Sequence, residues 1–276
     1  MTPNEPLAMR PSRVLRKLRA GQVVWSYKLN FESARAAEIV AMAGFDCIWT
    51  DMEHTAADWS LIERQVWATK APDADLMVRV ARGSYSDYVR PLELDAAGIM
   101  VPHIMSAADA RTVTRTTRFH PVGRRPVDGG NADGAYCGID FKAYLQQANR
   151  ERFVVIQIED PEPLTELDEI ASVEGIDMLF FGPGDFSHGI GAPGQWDDPR
   201  IGDARKRVVE ACRRHGKFAG TVGSPDNAAD LVKMGYQFIN LGADVIALWT
   251  DCRRILGAVS AIQPPQRREA RKKKSR

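Results

Sequence analysis

The sequence predicts a single (β/α)8 (TIM) barrel of the α/β class, and three observations predict it. Eight short apolar runs, rich in β-branched residues, recur at 23–29, 47–52, 75–80, 98–103, 153–159, 177–183, 217–222 and 237–245. The segments between them space apolar residues as helices do, for example "ESARAAEIVAMAG" (32–44) and "DNAADLVKMG" (226–235). The chain has 276 residues, close to the roughly 250 of that architecture. Eight strand–helix units in this length fit a closed barrel better than an open doubly wound sheet.

Taken in order, residues 1–8 read as a flexible N-terminus, 9–262 as the barrel and 263–276 as a tail. The opening stretch "AMRPSRVLRKLRAG" (8–21) reads as a helix ahead of strand one that covers the bottom of the barrel. The strands run apolar without strict alternation, as strands buried on both faces do, and their alternation with helices implies parallel pairing. Gly44, Gly98, Gly175 and Gly235 each precede a strand and read as helix stops, because glycine takes the left-handed conformation without a steric cost. The stretch 121–151, "PVGRRPVDGGNADGAYCGIDFKAYLQQANRE", reads as an extended loop on the active face.

Composition narrows the function classes. The chain is 44% apolar and 26% charged with a net charge of +1, as in ordinary globular proteins. No stretch approaches the ~20 apolar residues of a membrane span. The first residues lack the apolar core of a secretory signal, so a cytoplasmic location is expected. The four cysteines, Cys47, Cys137, Cys212 and Cys252, have no metal-type spacing and are expected as reduced thiols. The tail "QPPQRREARKKKSR" is basic and almost free of apolar groups, so it is expected to be disordered. Without it the body is mildly acidic, which speaks against a nucleic-acid partner.

Two runs carry the chemistry. "VVIQIEDPEP" (154–163) is an apolar strand that ends on Glu159, and "DMLFFGPGDFS" (177–187) ends through a glycine-rich turn on Asp185. In a barrel of this kind the reactive groups gather at the carboxyl ends of the strands. There the sequence supplies Asp51, Glu53 and His54 from strand two, Arg79 from strand three, His103 from strand four, Gln157 and Glu159 from strand five and Asp185 from strand six. Neighbouring strands lie about 5 Å apart, so acids on two of them raise each other's pKa unless a cation intervenes. A lone strand-end carboxylate commonly caps a loop or pairs with a cation. The pair on consecutive strands, with no cysteine and no helical histidine pair, favours a hard divalent ion, Mg²⁺ or Mn²⁺.

With these residues in place, the chain resembles the HpcH/HpaI aldolase family, the metal-dependent class II pyruvate aldolases. The resemblance is carried by "AGFDCIWTDMEH" (43–54), "MVRV" (77–80), "GIMVPHIMSAADAR" (98–111), residues 154–187 and "HGKFAGTVGSPDNAADLVKMGYQFINLGAD" (215–244). It implies a carbon–carbon lyase that cleaves a 4-hydroxy-2-keto acid to pyruvate and an aldehyde through a metal-stabilised pyruvate enolate, with Co²⁺ as a further candidate ion. By the same resemblance Glu159 and Asp185 are the metal ligands, His54 is the base and Arg79 contacts the keto acid and the aldehyde oxygen. Glu93 would be the acid paired with His54. Gln157 would lie near metal and substrate, and the backbone at Gly184 and Asp185, with Val222, would cradle the pyruvate carboxylate. A homo-oligomer, dimer-based and up to a hexamer, is implied through the last helix, "VIALWTDCRRILGAVSAI" (245–262).

Two segments depart from the family pattern, "GRRPVDGGNADGAY" (123–136) and Lys28 in "WSYKLN", and both are expected to border the pocket for the non-pyruvate half. Three other readings stay open. Lys28 could form a Schiff base, a citrate-lyase-like acyl-CoA lyase could use Arg124 and Arg125 for the CoA phosphates, and a non-enzymatic barrel scaffold could bind RNA or an acidic partner through its basic tail. His103 reads as a pocket residue rather than a ligand, and His120, His188 and His215 as solvated. The tryptophans, Trp25, Trp49, Trp67 and Trp249 among them, read as packing.

Overall fold

The computed structural model describes residues 6–262. Eight strands, β1 (Val24–Leu29), β2 (Cys47–Asp51), β3 (Asp75–Arg79), β4 (Gly98–Val101), β5 (Phe153–Ile158), β6 (Met178–Phe181), β7 (Phe218–Val222) and β8 (Phe238–Ala243), close into one barrel in sequence order. Every pairing is parallel, and β1 joins β8 to complete the ring. The strand positions are those expected from the apolar runs.

Alternation along each strand divides the core into two layers. Val24, Cys47, Trp49, Met77, Met100, Phe153, Val155, Met178, Phe180 and Phe238 fill the interior. Leu29, Ile48, Leu76, Val78, Ile99, Ile156, Leu179 and Ile239 face outward into the helix layer. Helix α1 (Arg13–Arg19) places Val14, Leu15 and Leu18 on the interior cluster and so closes the bottom. Its N-terminus is tied down where the Ser12 hydroxyl and the Val14 N–H both donate to Asp75.

The helices start at short polar caps, as unsatisfied N–H groups require. Ser33 caps α2 (Ala34–Met42), Asp58 caps α3 (Trp59–Lys70), Ser106 caps α5 (Ala107–Thr117) and Asp140 caps α6 (Phe141–Glu151). Gly235 ends α10 (Ala228–Met234) at φ +119°, as a helix-stop glycine should. Gly98 does not play that part. Helix α4 (Tyr85–Glu93) is followed by Asp95 at φ +70°, and Gly98 opens β4, where a Cβ would lie 2.3 Å from the Phe153 ring.

Two further expectations change. The segment from 118 to 140 follows α5 and leads through α6 into the start of β5, so it lies at the bottom of the barrel and not on the active face. There Arg118 donates to the carbonyls of Gly175 and Arg152, and Arg125 pairs with Asp133. The basic tail, 263–276, falls outside the described residues. The last helix, α11 (Asp244–Val259), has no buried residue and exposes Ile246, Leu248, Trp249, Ile255 and Leu256. Ile39 and Met42 on α2 and Val232 on α10 are exposed as well. In a ring of helices those two elements flank the place of the helix that follows β8.

Candidate active site

Inward positions followed to the carboxyl ends give Lys28 on β1, Asp51 on β2, Arg79 on β3 and Gln157 on β5, in the same alternation as Val24, Trp49, Met77 and Val155 below them. Glu159 follows β5 by one residue. Gly182 follows β6, Val222 ends β7 and Ala243, level with Lys28, ends β8, so these strands themselves bring no charge to the mouth.

Asp51 organises the charged half. Its carboxylate accepts from Arg79 Nε at 3.0 Å and Nη2 at 2.5 Å, and from Lys28 Nζ at 2.8 Å. It also accepts from the backbone N–H of Glu53 at 3.0 Å and of His54 at 3.4 Å, which fixes the turn after β2. Burial alone would raise its pKa, but Arg79 and Lys28 outweigh burial and hold it well below the usual carboxylate range. Arg79 reaches on to Glu53 at 3.2 Å. Trp49 lies beneath, with Lys28 Nζ 5.2 Å and the Arg79 guanidinium 5.0 Å from its ring centre.

The second half of the site centres on Glu159, which is 1% exposed. One carboxylate oxygen accepts from the His103 N–H at 2.9 Å, and the other accepts from the Gln157 amide. Burial raises its pKa to about 7, with Asp185 adding to the effect and His103 and Arg79 opposing it. Gly182 is required here because a Cβ would lie 2.8 Å from Glu159 and 2.9 Å from Gln157. Asp185 stands exposed in the first turn of α8 (Pro183–Gly189) beside Gly184. Val222 ends β7 against the interior cluster.

His103 shares the rim and adjoins Glu159. Its backbone is left-handed at φ +49°, held by the N–H to Glu159 and by Arg82, which donates to its carbonyl at 2.8 Å. Its ring Nδ1 lies 2.8 Å from Asp160, and Nε2 lies 3.7 Å from Glu53. Burial would lower its pKa, but the Asp160 hydrogen bond and the charges of Glu159, Asp160 and Glu53 raise it.

Placement of the expected residues is therefore uneven. Arg79, Gln157 and Glu159 meet at the mouth, and the charges of Asp185 and Arg79 both act on Glu159. His54 is on the same rim, largely exposed, with its ring 3.4 Å from Glu53. Glu93 is not brought to His54 within one chain. It is the last residue of α4, and helices run opposite to strands, so it lies at the barrel bottom. There burial raises its pKa, with Arg125 opposing and Asp133 and Asp128 adding. Arg124 and Arg125 also lie in the bottom segment, away from the rim, and Arg125 is buried against Asp133. Asp160, on the His103 ring at 2.8 Å, is a rim neighbour with one signal in the sequence, its place directly after Glu159.

The oxygen atoms present suit a hard cation. Among the described residues no group of three His, Cys, Asp or Glu stands at metal-holding spacing. Gln157 Oε1 beside Glu159 is, however, a buried oxygen without a hydrogen-bond donor, and the exposed Asp185 carboxylate acts on Glu159 from the turn after β6. One or two carboxylates with substrate and water completing the shell is the usual protein contribution for Mg²⁺.

A closed parallel barrel with an acid-bearing mouth defines a class of α/β-barrel enzymes that work at the strand ends. Residues 27–250 match the HpcH/HpaI aldolase/citrate lyase model, and the chain belongs to that family. It is 31% identical to the 2-dehydro-3,6-dideoxy-6-sulfogluconate aldolase of Pseudomonas putida over 85% of this chain and 91% of that one. It is 29% identical to the hydroxypyruvate/pyruvate aldolase of Pseudomonas aeruginosa over 92% and 94% of the two chains. The crystal structure of the HpcH/HpaI aldolase from Desulfitobacterium hafniense DCB-2 superposes with a TM-score of 0.85 at 28% identity, covering 90% of this chain and 96% of that one. Among the described residues no helix is long and apolar enough to cross a membrane.

Proposed function

We propose that the protein is a divalent-metal-dependent aldolase that cleaves a 4-hydroxy-2-keto acid to pyruvate and an aldehyde. The observation that carries this reading is the oxygen-only donor set at the mouth: buried Glu159, the unpartnered Gln157 Oε1 next to it, and Asp185 on the following strand–helix turn, whose charge acts on Glu159. Glu159 and Asp185 would hold the ion, Mg²⁺, Mn²⁺ or Co²⁺. When bound, it supplies Lewis acidity to the keto oxygen next to the carbon that loses its proton.

The chain's own groups do the rest. His54, exposed on the rim, takes the proton from C3 of the keto acid, as a histidine suits at neutral pH. Glu53, 3.4 Å from its ring, orients it in the part expected of Glu93. Arg79, fixed by Asp51 and Glu53, keeps N–H groups free for the keto acid and the aldehyde oxygen. The backbone at Gly184 and Asp185, with Val222, bounds the place of the pyruvate carboxylate. A Schiff-base route is disfavoured because an amine nucleophile needs a free lone pair, and Lys28 stands as the cationic partner of Asp51 in a 2.8 Å salt bridge. The acyl-CoA alternative loses its phosphate contacts, since Arg124 and Arg125 lie at the far end. We also assign a homo-oligomer in which α11 docks on a second copy, because its apolar stripe is otherwise uncovered.

The test is a screen of 4-hydroxy-2-keto acids read out as pyruvate. Activity should vanish with EDTA and return with Mg²⁺ or Mn²⁺. Glu159→Ala should lose metal binding by calorimetry, and His54→Ala should lose about 10²-fold or more in rate. Full activity after chelation, or trapping of pyruvate on Lys28 by borohydride, would overturn the reading.

A further inference from the structure

We infer that Lys28 is a specificity-determining residue, and that the aldehyde half of the substrate carries an anionic group, carboxylate or phosphate, which Lys28 receives. The inference rests on the aldolase reading above and adds the substrate class of the same site.

Acid and base are separated across the mouth. Glu159, Asp160 and Asp185 stand at the ends of β5 and β6, whereas Lys28 and Arg79 stand on β1 and β3 around Asp51. A 2-keto acid is itself an anion, so it would meet the acidic side only through the ion that Glu159 and Asp185 would hold, with Arg79 on its flank. Its reaction partner then faces the remaining cation on β1. Of the two cations there, Arg79 is the more buried, and its two remaining N–H groups are those assigned above to the keto acid and the aldehyde oxygen. It is 5% exposed and spends Nε, Nη2 and Nη1 on Asp51 and Glu53. The Lys28 side chain is 19% exposed, and its ammonium has one carboxylate partner, Asp51. Two of its three N–H donors are therefore free.

Asp51 does not depend on Lys28. It accepts from two Arg79 nitrogens and from the backbone N–H groups of Glu53 and His54, so the lysine can turn to a ligand without leaving a buried carboxylate unpaired. A further donor waits nearby. The Trp49 indole nitrogen is buried without an acceptor, in a ring flanked by both cations. The chemical step is the aldol addition itself. C3 of the keto acid, after proton loss to the base, bonds to the aldehyde carbon, and the resulting alkoxide takes up a proton; nothing is oxidised or reduced.

The experiment compares matched aldehydes in the condensation with pyruvate and Mg²⁺: 4-oxobutanoate against 4-oxobutanamide, and glyceraldehyde 3-phosphate against glyceraldehyde. In the wild type, kcat/KM should favour the anionic member of at least one pair by about 10- to 100-fold, the worth of one charge-assisted hydrogen bond. The pair that shows it separates carboxylate from phosphate. Lys28→Met should collapse that ratio toward one, and Lys28→Arg should retain most of it. A wild-type ratio near one in both pairs, or an unchanged ratio in Lys28→Met, would overturn the inference. Deuterium exchange at C3 of pyruvate, followed by NMR in the wild type, separates the two levels: exchange without anion preference sinks only the role of Lys28, and no exchange sinks the aldolase reading with it.

Discussion

Asp51 shows how much one buried carboxylate can organise. It joins two cations, holds the turn that carries Glu53 and His54, and is itself fully buried. Asp51→Asn should cost about 3 kcal/mol, because it leaves buried Arg79 short of a charge partner. Its folded-state pKa is depressed, so its contribution is present above about pH 4 and fades as pH falls through the folded value. Urea unfolding of wild type and variant should therefore differ fully at pH 7 and converge on acidification below pH ~4; a gap that widens in acid would contradict the ion-pair account. His103 offers a second test. Its backbone is left-handed, which costs a residue with a Cβ about 1 kcal/mol, so His103→Gly should be more stable than His103→Ala by that amount. Glu159, Asp185, His54 and Arg79 were legible because a strand end is readable from an apolar run and its stop. Their partners were not. Glu53 rather than Glu93 beside His54, Asp160 on His103 and Lys28 on Asp51 depend on side-chain reach across strands, which no local pattern encodes.

At the scale of elements, parallel strands left the clearest trace, since burial on both faces demands continuous apolar runs. Each of the eight strands falls within its predicted run. The side of the barrel on which a loop lies was harder to read. The segment 121–151 reads as an extended loop on the active face, yet it precedes β5 and so belongs to the bottom, and its last eleven residues form α6. Chain direction decides this, and the extra helix α6 hid it. Gly98 makes the related point that a glycine before a strand has more than one use. It admits the Phe153 ring, so Gly98→Ala should overpack the barrel and cost about 1–3 kcal/mol. Gly235→Ala, strained at φ +119° and with its Cβ 2.7 Å from one Val209 methyl on the outer helix layer rather than a ring inside the barrel, should cost about 1 kcal/mol. Thermal denaturation of the two variants should rank them in that order, and the reverse order would mean that the barrel interior yields more readily than its packing implies.

The molecule as a whole carries an unbalanced surface, and that imbalance makes a prediction. All sixteen residues of α11 lie outside the core, and Ile246, Trp249 and Leu256 are each more than 60% exposed. On the barrel, Ile39 is 66% and Met42 is 72% exposed at the flank where a closing helix belongs. Burying one large apolar side chain is worth about 1.5–3 kcal/mol, so a stripe of this length has ample driving force to dock on a second copy. Light scattering should find an oligomer whose melting temperature rises with protein concentration, because association favours the folded state. Trp249→Glu with Leu256→Glu should shift it to a smaller species. Ile39→Glu with Met42→Glu, on the opposite surface, should do the same if α11 of one chain covers α2 of another. A dissociated first variant beside an intact second would place the helix on a different face. A wild type that stays monomeric at every concentration would leave the stripe without the partner assigned to it.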